Sequence, residues 1–132
     1  MKVEDISSEL GFTLFKTAAD RAFNAITVTE ASPQGGAGPI IYVNEAFTEM
    51  TGYTPDEVMG KSPGMLQGPN TEPAVLERLA SQISKGEPFH GETINYRKDG
   101  TEFIMEWHVI PVTQQGSATH YVAVQHDVTG RI

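Results

Sequence analysis

The second half of the chain alternates apolar and polar residues in three successive runs, residues 89–98, 101–112 and 119–127. Asp99-Gly100 separates the first two runs, and residues 114–117 separate the last two. A period of two is typical of strands with one buried face, and Asp-Gly pairs favour tight turns between antiparallel strands. This half therefore predicts a three-stranded antiparallel meander.

The first half predicts two more strands and a block of helices. The strands are residues 25–29 and 39–43, joined by a connection over 31–38 that is dense in Gly and Pro and predicts a long, mobile loop. Short helices follow: one capped by Asn44, one opened by Thr54-Pro55-Asp56-Glu57, and one over residues 73–85. Residues 60–70, rich in Gly and Pro, predict a loop or a single turn.

A helical repeat of apolar residues precedes these elements and predicts a helix over residues 3–19, within an N-terminal flanking segment of residues 1–20. Its apolar face could pack on the domain or on a second copy of the chain. Strands on either side of a block of helices favour the α+β class. We therefore expect a five-stranded antiparallel sheet with helices packed on one face, plus this N-terminal helix.

Composition excludes several kinds of function. The 132 residues contain no cysteine, which rules out disulfides, thiolate metal sites and cysteine nucleophiles. The net charge of -8 argues against a nucleic-acid partner, which requires basic patches. No apolar run is long enough to span a membrane, and no signal peptide is recognisable, so we expect a cytoplasmic protein. No catalytic constellation is visible, and we expect no enzyme.

Strand alternation brings polar and aromatic side chains to one face of the sheet. Met105 and Trp107 share the bulky face of the second run, and Gln125 and Asn95 lie on inward positions of its neighbours. Buried amides require hydrogen-bond partners. The two carboxamides could therefore hold a flat heterocycle with donor and acceptor edges, or they could bond to the backbone or to water.

Several motifs resemble the PAS domain family. They are Ile40-Ile41-Tyr42-Val43-Asn44-Glu45-Ala46-Phe47, Thr51-Gly52-Tyr53, Glu57-Val58-Met59-Gly60-Lys61, Asn95-Tyr96-Arg97-Lys98-Asp99-Gly100 and Gln125-His126-Asp127-Val128-Thr129. Their order and spacing agree with that family from about residue 20 onward. The resemblance implies a PAS sensor domain over residues 21–128 and the start of an output linker over residues 129–132.

The stretch of residues 60–69 is similar to the signature of the light-oxygen-voltage (LOV) type of PAS domain. Members of that type bind flavin and form a light-driven bond between it and a cysteine, whose position here falls on Pro63. The resemblance therefore implies that no flavin–cysteinyl adduct forms. The neighbouring asparagine becomes Ser62, and two arginines that bind the flavin phosphate correspond to Gly64 and Ala80.

Other LOV positions are retained. Asn95 and Gln125 match residues that contact the flavin ring, Gln67 matches one near the ribityl chain, and Thr29 one in the pocket wall, while a second asparagine falls on Met105. The resemblance implies a non-covalent flavin, FMN or FAD. Its expected contacts are Thr29, Ser62, Leu66, Gln67, Asn95, Met105, Trp107 and Gln125.

Haem and metal are not expected. The haem-binding PAS sensors of the best-known type take a histidine from the long helix, and residues 73–85 contain none. By alternation His108 and His126 face away from the pocket.

The resemblance implies sensory signalling. The sensor would read light, through photoreduction of the flavin, or redox state. Trp107 or a tyrosine would be the electron donor in photoreduction. The relay residues would be Gln125, Asp127 and Thr129. The implied partners are a second copy of the chain and an output domain: a kinase, a cyclic-dinucleotide enzyme or a transcription regulator. The alternative is a cofactor-free PAS module for dimerisation or for binding a small metabolite, with its pocket filled by Met65, Met105 and Trp107.

Overall fold

The computed structural model describes residue 2 and residues 7–130. Its elements in chain order are α1 (Ser8–Asp20), β1 (Ala25–Ala31), β2 (Ala37–Val43), α2 (Glu45–Thr51), α3 (Pro55–Val58), a 3₁₀ turn (Pro63–Leu66), α4 (Pro73–Ser84), β3 (Phe89–Tyr96), β4 (Glu102–Gln114) and β5 (Ser117–Asp127).

The strands form one five-stranded sheet in the order β2-β1-β5-β4-β3, and every neighbouring pair is antiparallel. The predicted meander is β3-β4-β5, and the α+β class is confirmed. Strands β4 and β5 run further toward each other than the sequence indicated, and only Gln115 and Gly116 join them. Both have positive φ, as a two-residue hairpin turn requires. Strands β1, β5 and β4 occupy the centre of the sheet, and β2 and β3 form its edges.

The connection between β1 and β2 is shorter than the Gly and Pro content suggested. The strands extend to Ala31 and from Ala37, which pair with each other, so only residues 32–36 form the turn. Pro39 lies inside β2, and it is tolerated there because β2 is an edge strand. The prediction of a long loop over 31–38 was wrong on length, because Gly38 lies inside β2 at an irregular part of the pairing, and a glycine there does not end the strand.

Asn44 joins three elements at one end of the sheet. Its buried Oδ1 accepts from the backbone N–H of Ile26 at 2.9 Å and of Phe47 at 3.1 Å. Its Nδ2 donates to the carbonyls of Ala19 and Asn24. The predicted cap of α2 is confirmed, and the same side chain also fixes where α1 ends and β1 begins.

Helix α1 begins at Ser8, with Ser7 as its N-cap, and continues through Gly11 without a break. The part of its prediction that falls on residues 3–6 lies outside the described residues. Most of its apolar side chains are exposed, and only Ala19 is buried. Phe15 makes an edge contact with Tyr42 of β2. The helix therefore lies beside the edge strand with an uncovered apolar face.

None of the helices within the described part of the chain is long and apolar enough to cross a membrane.

The helices α2, α3, α4 and the 3₁₀ turn pack on one face of the sheet in two buried clusters. One cluster joins α4 to β3, β4 and β5 through Ile83, Phe89, Phe103, Met105, Trp107, Val109 and Tyr121. The other joins α2, α3 and the 3₁₀ turn to β1 and β2 through Ala25, Ile40, Val43, Phe47, Val58 and Leu66. Inward orientation of the bulky face of β4 is confirmed, and a cavity remains between the helices and the centre of the sheet.

Candidate functional site

The cavity has a volume of about 470 Å³ and opens to solvent at one end. Strands β1, β3, β4 and β5 form its floor, and the β1–β2 turn, the 3₁₀ turn and α4 form its other walls. All eight side chains that the sequence predicted as cofactor contacts lie in its wall: Thr29, Ser62, Leu66, Gln67, Asn95, Met105, Trp107 and Gln125. Their role in binding stays a prediction, although the fold does bring all eight side chains to one cavity.

The floor carries four buried polar side chains in two different states. Gln125 Oε1 accepts a 2.9 Å hydrogen bond from the Thr27 hydroxyl, which ties β5 to β1. Asn95 Nδ2 donates only to the Met105 sulfur, at 3.5 Å, and its Oδ1 has no partner. The Thr29 hydroxyl also lacks a partner. Two buried polar atoms in the cavity wall therefore lack the hydrogen bonds that buried polar groups normally make.

Trp107 forms an aromatic part of the same floor. It is opposite Gln125 on β5 and Gly91 on β3 in the sheet register. Its ring packs at a tilt against Phe89, with 5.0 Å between ring centroids. The missing side chain of Gly91 is needed here, because an added Cβ would lie 2.5 Å from the Phe89 ring. The indole is therefore held in one place, and it lines the cavity together with Tyr121.

The 3₁₀ turn shapes the helical wall. Ser62 Oγ accepts from the backbone N–H of Gly64 at 3.1 Å and so caps the turn, and Pro63 is its first residue. Leu66 points inward and is buried, as predicted. Gly68 follows where the Tyr96 ring passes, and an added Cβ there would lie 2.3 Å from that ring. The local sequence therefore presents a proline, small residues and one carboxamide, Gln67, to the cavity.

A polar junction lies where β5 ends. The carboxylate of Asp127 accepts from the backbone N–H and the hydroxyl of Thr129 and pairs with Arg97. The Thr129 hydroxyl also accepts from the backbone N–H of Ile104, so the first residue of the predicted linker is bonded to β4. Arg97 donates in addition to the Met50 carbonyl at the end of α2.

Partial desolvation alone would raise the pKa of Asp127, but the hydrogen bonds from Thr129 and the charge of Arg97 outweigh it and hold the pKa below its ordinary value. The carboxylate is therefore charged at neutral pH and binds both Thr129 and Arg97. The predicted relay residues Asp127 and Thr129 lie together here, outside the cavity, and Gln125 lies two residues earlier on the cavity floor.

Sequence reasoning missed several wall residues. Thr27, the partner of Gln125, lies on the same side of β1 as Thr29, so strand alternation could have identified it. Tyr121 shares a strand face with Gln125 and could have been found in the same way. Gln34 reaches the cavity from the short β1–β2 turn, and no local pattern indicates that contact.

The histidines lie outside the cavity. His90 and His108 stack on the outer face of the sheet with 4.3 Å between ring centroids, and His90 contacts Glu106. His126 contacts Asn24. Among the residues that the structure describes, no group of three or more His, Asp or Glu side chains is arranged to hold a metal ion.

Comparison with known proteins assigns the family. A family model described as PAS domain matches residues 24–130, which is most of the chain. The chain belongs to the PAS domain family. It is a sensory signalling domain of the LOV-related kind, since the solved structures and relatives that it resembles include LOV domains and blue-light-activated kinases.

Two solved structures illustrate the likeness. An RNA-binding light-oxygen-voltage receptor matches with a TM-score of 0.84 at 34% identity, over 99% of this chain and 37% of that one. The LOV domain of a blue-light activated histidine kinase from Erythrobacter litoralis matches with a TM-score of 0.75 at 33% identity, over 83% of this chain and 99% of that one. The PAS fold predicted from the motifs is therefore confirmed.

Two curated relatives are much longer than this chain. The bacterioopsin transcriptional activator of Halobacterium salinarum is 34% identical over all of this chain and 19% of its own length. A blue-light-activated histidine kinase of Brucella anthropi is 39% identical over 74% of this chain and 20% of its own length. The chain thus spans about a fifth of the length of each of these relatives.

Proposed function

We propose that this PAS domain is a flavin-binding sensor that holds its ligand without a covalent bond. The observation that supports it most is the pair of buried polar atoms, Asn95 Oδ1 and the Thr29 hydroxyl, that lack partners in the wall of a cavity of about 470 Å³. An acceptor without a donor favours a ligand with a ring N–H edge, and burial of an unpaired polar group is costly without one. Trp107, Met105 and Leu66 supply the apolar faces that a flat ring requires.

Each side chain has a role in this proposal. Asn95 and Gln125 would bond the polar edge of the ring, Thr29 would add a hydroxyl contact, and Ser62 and Gln67 would bond the ribityl side chain. A bound flavin, FMN or FAD in the LOV resemblance, absorbs blue light and accepts an electron when excited. Trp107 is the proposed donor of that electron, with Tyr121 as second candidate in the same wall.

The chain has no cysteine, so the cavity wall contains no sulfur nucleophile. Pro63 lines the cavity at the position where the LOV resemblance implies a cysteine. We therefore infer that light acts through electron transfer and not through a flavin–cysteinyl adduct. Reorientation of the Gln125 carboxamide would then change its bond to Thr27. That change would pass along β5 to Asp127 and Thr129 at the linker.

Absorption spectroscopy tests the flavin proposal. Purified protein should show flavin bands and flavin fluorescence, either as isolated or after incubation with flavins and removal of the unbound fraction. The Asn95→Leu variant is the matched control, since it keeps the branched shape of the side chain and removes its polar edge. A wild-type protein that remains colourless after incubation with riboflavin, FMN and FAD would refute the proposal. We also propose that the domain has no catalytic role and binds neither metal nor haem.

The runner-up function is a cofactor-free PAS module that acts through dimerisation or a small metabolite. The cavity counts against the version of it in which Met65, Met105 and Trp107 fill the pocket, since Met105 and Trp107 form a wall and leave the space open. Met65 packs instead against the other cluster, near Leu66. A colourless protein whose melting temperature rises with a non-flavin heterocycle would favour this reading.

A homodimer is proposed for either function. Leu10, Phe12, Leu14 and Phe15 of α1 are exposed by 42–66%, and Ile41 of the neighbouring edge strand by 45%. Apolar side chains grouped in this way are typical of an interface. Sedimentation should show a dimer that Leu14→Arg and Phe12→Arg convert to a monomer, while Thr13→Arg on the same helix leaves it unchanged. A monomeric wild type at all concentrations would contradict this.

The output domain is proposed from the relatives, which include a transcriptional activator and histidine kinases. A kinase or a transcription regulator is therefore favoured over a cyclic-dinucleotide enzyme. The net charge of -8 supports a domain that does not itself contact nucleic acid, and a cytoplasmic location is proposed with these outputs.

A further inference from the structure

The described cavity wall contains no charged side chain. Its buried end carries the hydroxyls and carboxamides of the floor. Its solvent-exposed end, here called the mouth, is lined by Gln34, Ser62, Gln67, Ala80 and Ser84. Gln34, Ser62, Gln67 and Ser84 offer uncharged hydrogen-bonding groups, which match the hydroxyls of a sugar alcohol chain. They offer no cation to a phosphate.

The arginine on the cavity-forming helix is engaged elsewhere. Arg78 of α4 lies over the Phe89 ring, 4.7 Å from its centroid. Its guanidinium donates to the His90 carbonyl at 2.9 Å and to Gln82 Oε1 at 3.1 Å. A phosphate at the mouth could therefore recruit Arg78 only by breaking these contacts.

Two further cations flank the mouth in sequence. Lys61 precedes Ser62 and Lys85 follows Ser84, and both are exposed and lie outside the cavity wall. An exposed lysine gives a weak, salt-sensitive contact to an anion, in contrast to an arginine fixed in a wall. A test of phosphate binding must therefore include substitutions of these two lysines.

We propose that the cavity selects a flavin with an uncharged side chain, riboflavin, over the phosphorylated flavins FMN and FAD. This inference rests on the proposed flavin-binding function. The net charge of -8 opposes a phosphate dianion, and screening at physiological salt leaves a penalty of roughly threefold to tenfold in affinity. Without a wall arginine nothing offsets that penalty, whereas the neutral ribityl hydroxyls meet the hydroxyls and carboxamides of the mouth.

Parallel titrations at two salt concentrations test the selection. Quenching of flavin fluorescence would give Kd for riboflavin and FMN at about 0.02 M and about 0.5 M salt, between which screening changes strongly. Riboflavin should bind roughly threefold to tenfold more tightly than FMN near physiological salt. The FMN affinity should improve as salt rises, and the riboflavin affinity should stay constant.

Three other outcomes are decisive in the opposite direction. FMN binding that is tighter than riboflavin binding would overturn the inference and leave the flavin proposal intact. FMN affinity that falls with salt would overturn it too, and recovery of salt independence in Lys61→Ala or Lys85→Ala would identify the cation that holds the phosphate. If neither flavin binds, the proposed function itself fails, and the inference fails with it.

A gain of function provides an independent test. At Gly64 an added Cβ would lie 3.4 Å from Ser62 Oγ and 3.6 Å from Gln67 Nε2, so a side chain fits. Ala80 is exposed on α4, where arginine is a good helix former. Gly64→Arg combined with Ala80→Arg should raise FMN affinity by about tenfold to a hundredfold per charged contact.

Bound riboflavin in the same double variant verifies that the cavity remains folded, and the ratio of FMN to riboflavin affinity is the readout. Gly64→Gln with Ala80→Gln is the matched neutral control. A ratio of FMN to riboflavin affinity that does not differ between the arginine and glutamine variants would overturn the inference, because charge at the mouth would then not set the selection.

Discussion

The two carboxamides on the cavity floor should respond in opposite ways to replacement by leucine. Asn95 and Gln125 are equally buried, each with 4% of its surface exposed. Asn95 Oδ1 has no hydrogen-bond partner, and its Nδ2 has only a long contact to the Met105 sulfur. Gln125 Oε1 accepts a good hydrogen bond from the Thr27 hydroxyl. The ligand-free protein thus carries a cost at one carboxamide and a stabilising contact at the other.

The magnitudes follow from these bonds. An unsatisfied buried acceptor costs about 1–3 kcal/mol, and leucine has the same number and branching of side-chain heavy atoms as asparagine without polar atoms. Asn95→Leu should therefore stabilise the ligand-free protein by about 1–2 kcal/mol, once the weak contact to sulfur is subtracted. For a domain of this size the melting temperature should rise by roughly 3–10 °C. Gln125→Leu leaves the buried Thr27 hydroxyl unpaired and should destabilise by about 1–3 kcal/mol.

Urea and thermal unfolding without ligand, followed by flavin titration, measure both effects. Asn95→Leu should gain stability and lose about twofold to tenfold in flavin affinity, since a hydrogen bond contributes about 0.5–1.5 kcal/mol. Asn95→Ala is the control for volume, since it removes the polar edge but leaves space and should be less stable than Asn95→Leu. An Asn95→Leu protein that is less stable than wild type without ligand would refute the reasoning, because Oδ1 would then have a stabilising partner.

Three other outcomes are expected. Pro63→Cys should give a light-induced, dark-reversible loss of the flavin band if the ring lies beside the 3₁₀ turn, whereas Pro63→Ser should not; no bleaching in the cysteine variant would contradict that pose. Trp107→Phe should slow flavin photoreduction under anaerobic illumination by at least about tenfold, while Tyr121→Phe should slow it less, and equal rates in all three proteins would remove Trp107 as donor. Lys98 and the backbone N–H of Thr54 lower the pKa of Glu57 to about 2 from an ordinary 4.5, so its stabilising contribution is present above about pH 4.5 and is lost as pH falls toward 2. The urea midpoint of wild type should fall across that window more steeply than that of Glu57→Gln, and identical slopes would show that the ion pair does not contribute.

Local patterns were sufficient where neighbouring residues decide the structure. The meander was predictable because alternation and the Asp99-Gly100 turn fix both its strands and their register. The same alternation placed Asn95, Met105, Trp107 and Gln125 on one face, and register then brought them together. Strand alternation thus determined which residues of β3, β4 and β5 form the cavity floor.

The parts that the sequence did not reveal depend on contacts between distant residues. The Thr27–Gln125 bond joins residues 98 apart in the chain, and no local pattern specifies which strand lies beside β5. The engagement of Arg97 with both Met50 and Asp127 is of the same kind. The short β1–β2 turn was mispredicted for a different reason, since glycine is compatible with a strand where two backbones approach closely, as Gly38 does.

In the proposed sensor, signal transfer and ligand binding would involve the same strand. Gln125 is bonded to Thr27 in the cavity, and Asp127 lies two residues further along β5, at the junction with Arg97 and Thr129. A ligand that takes over the Gln125 carboxamide must compete with the Thr27 hydroxyl, whereas a ligand that bonds Asn95 gains a contact without breaking one. Under the proposed function, binding energy would therefore come mainly from the Asn95 side, and conformational change from the Gln125 side. A sensor with this division can hold its ligand in both signalling states, because the interaction that switches is not the one that retains the ligand.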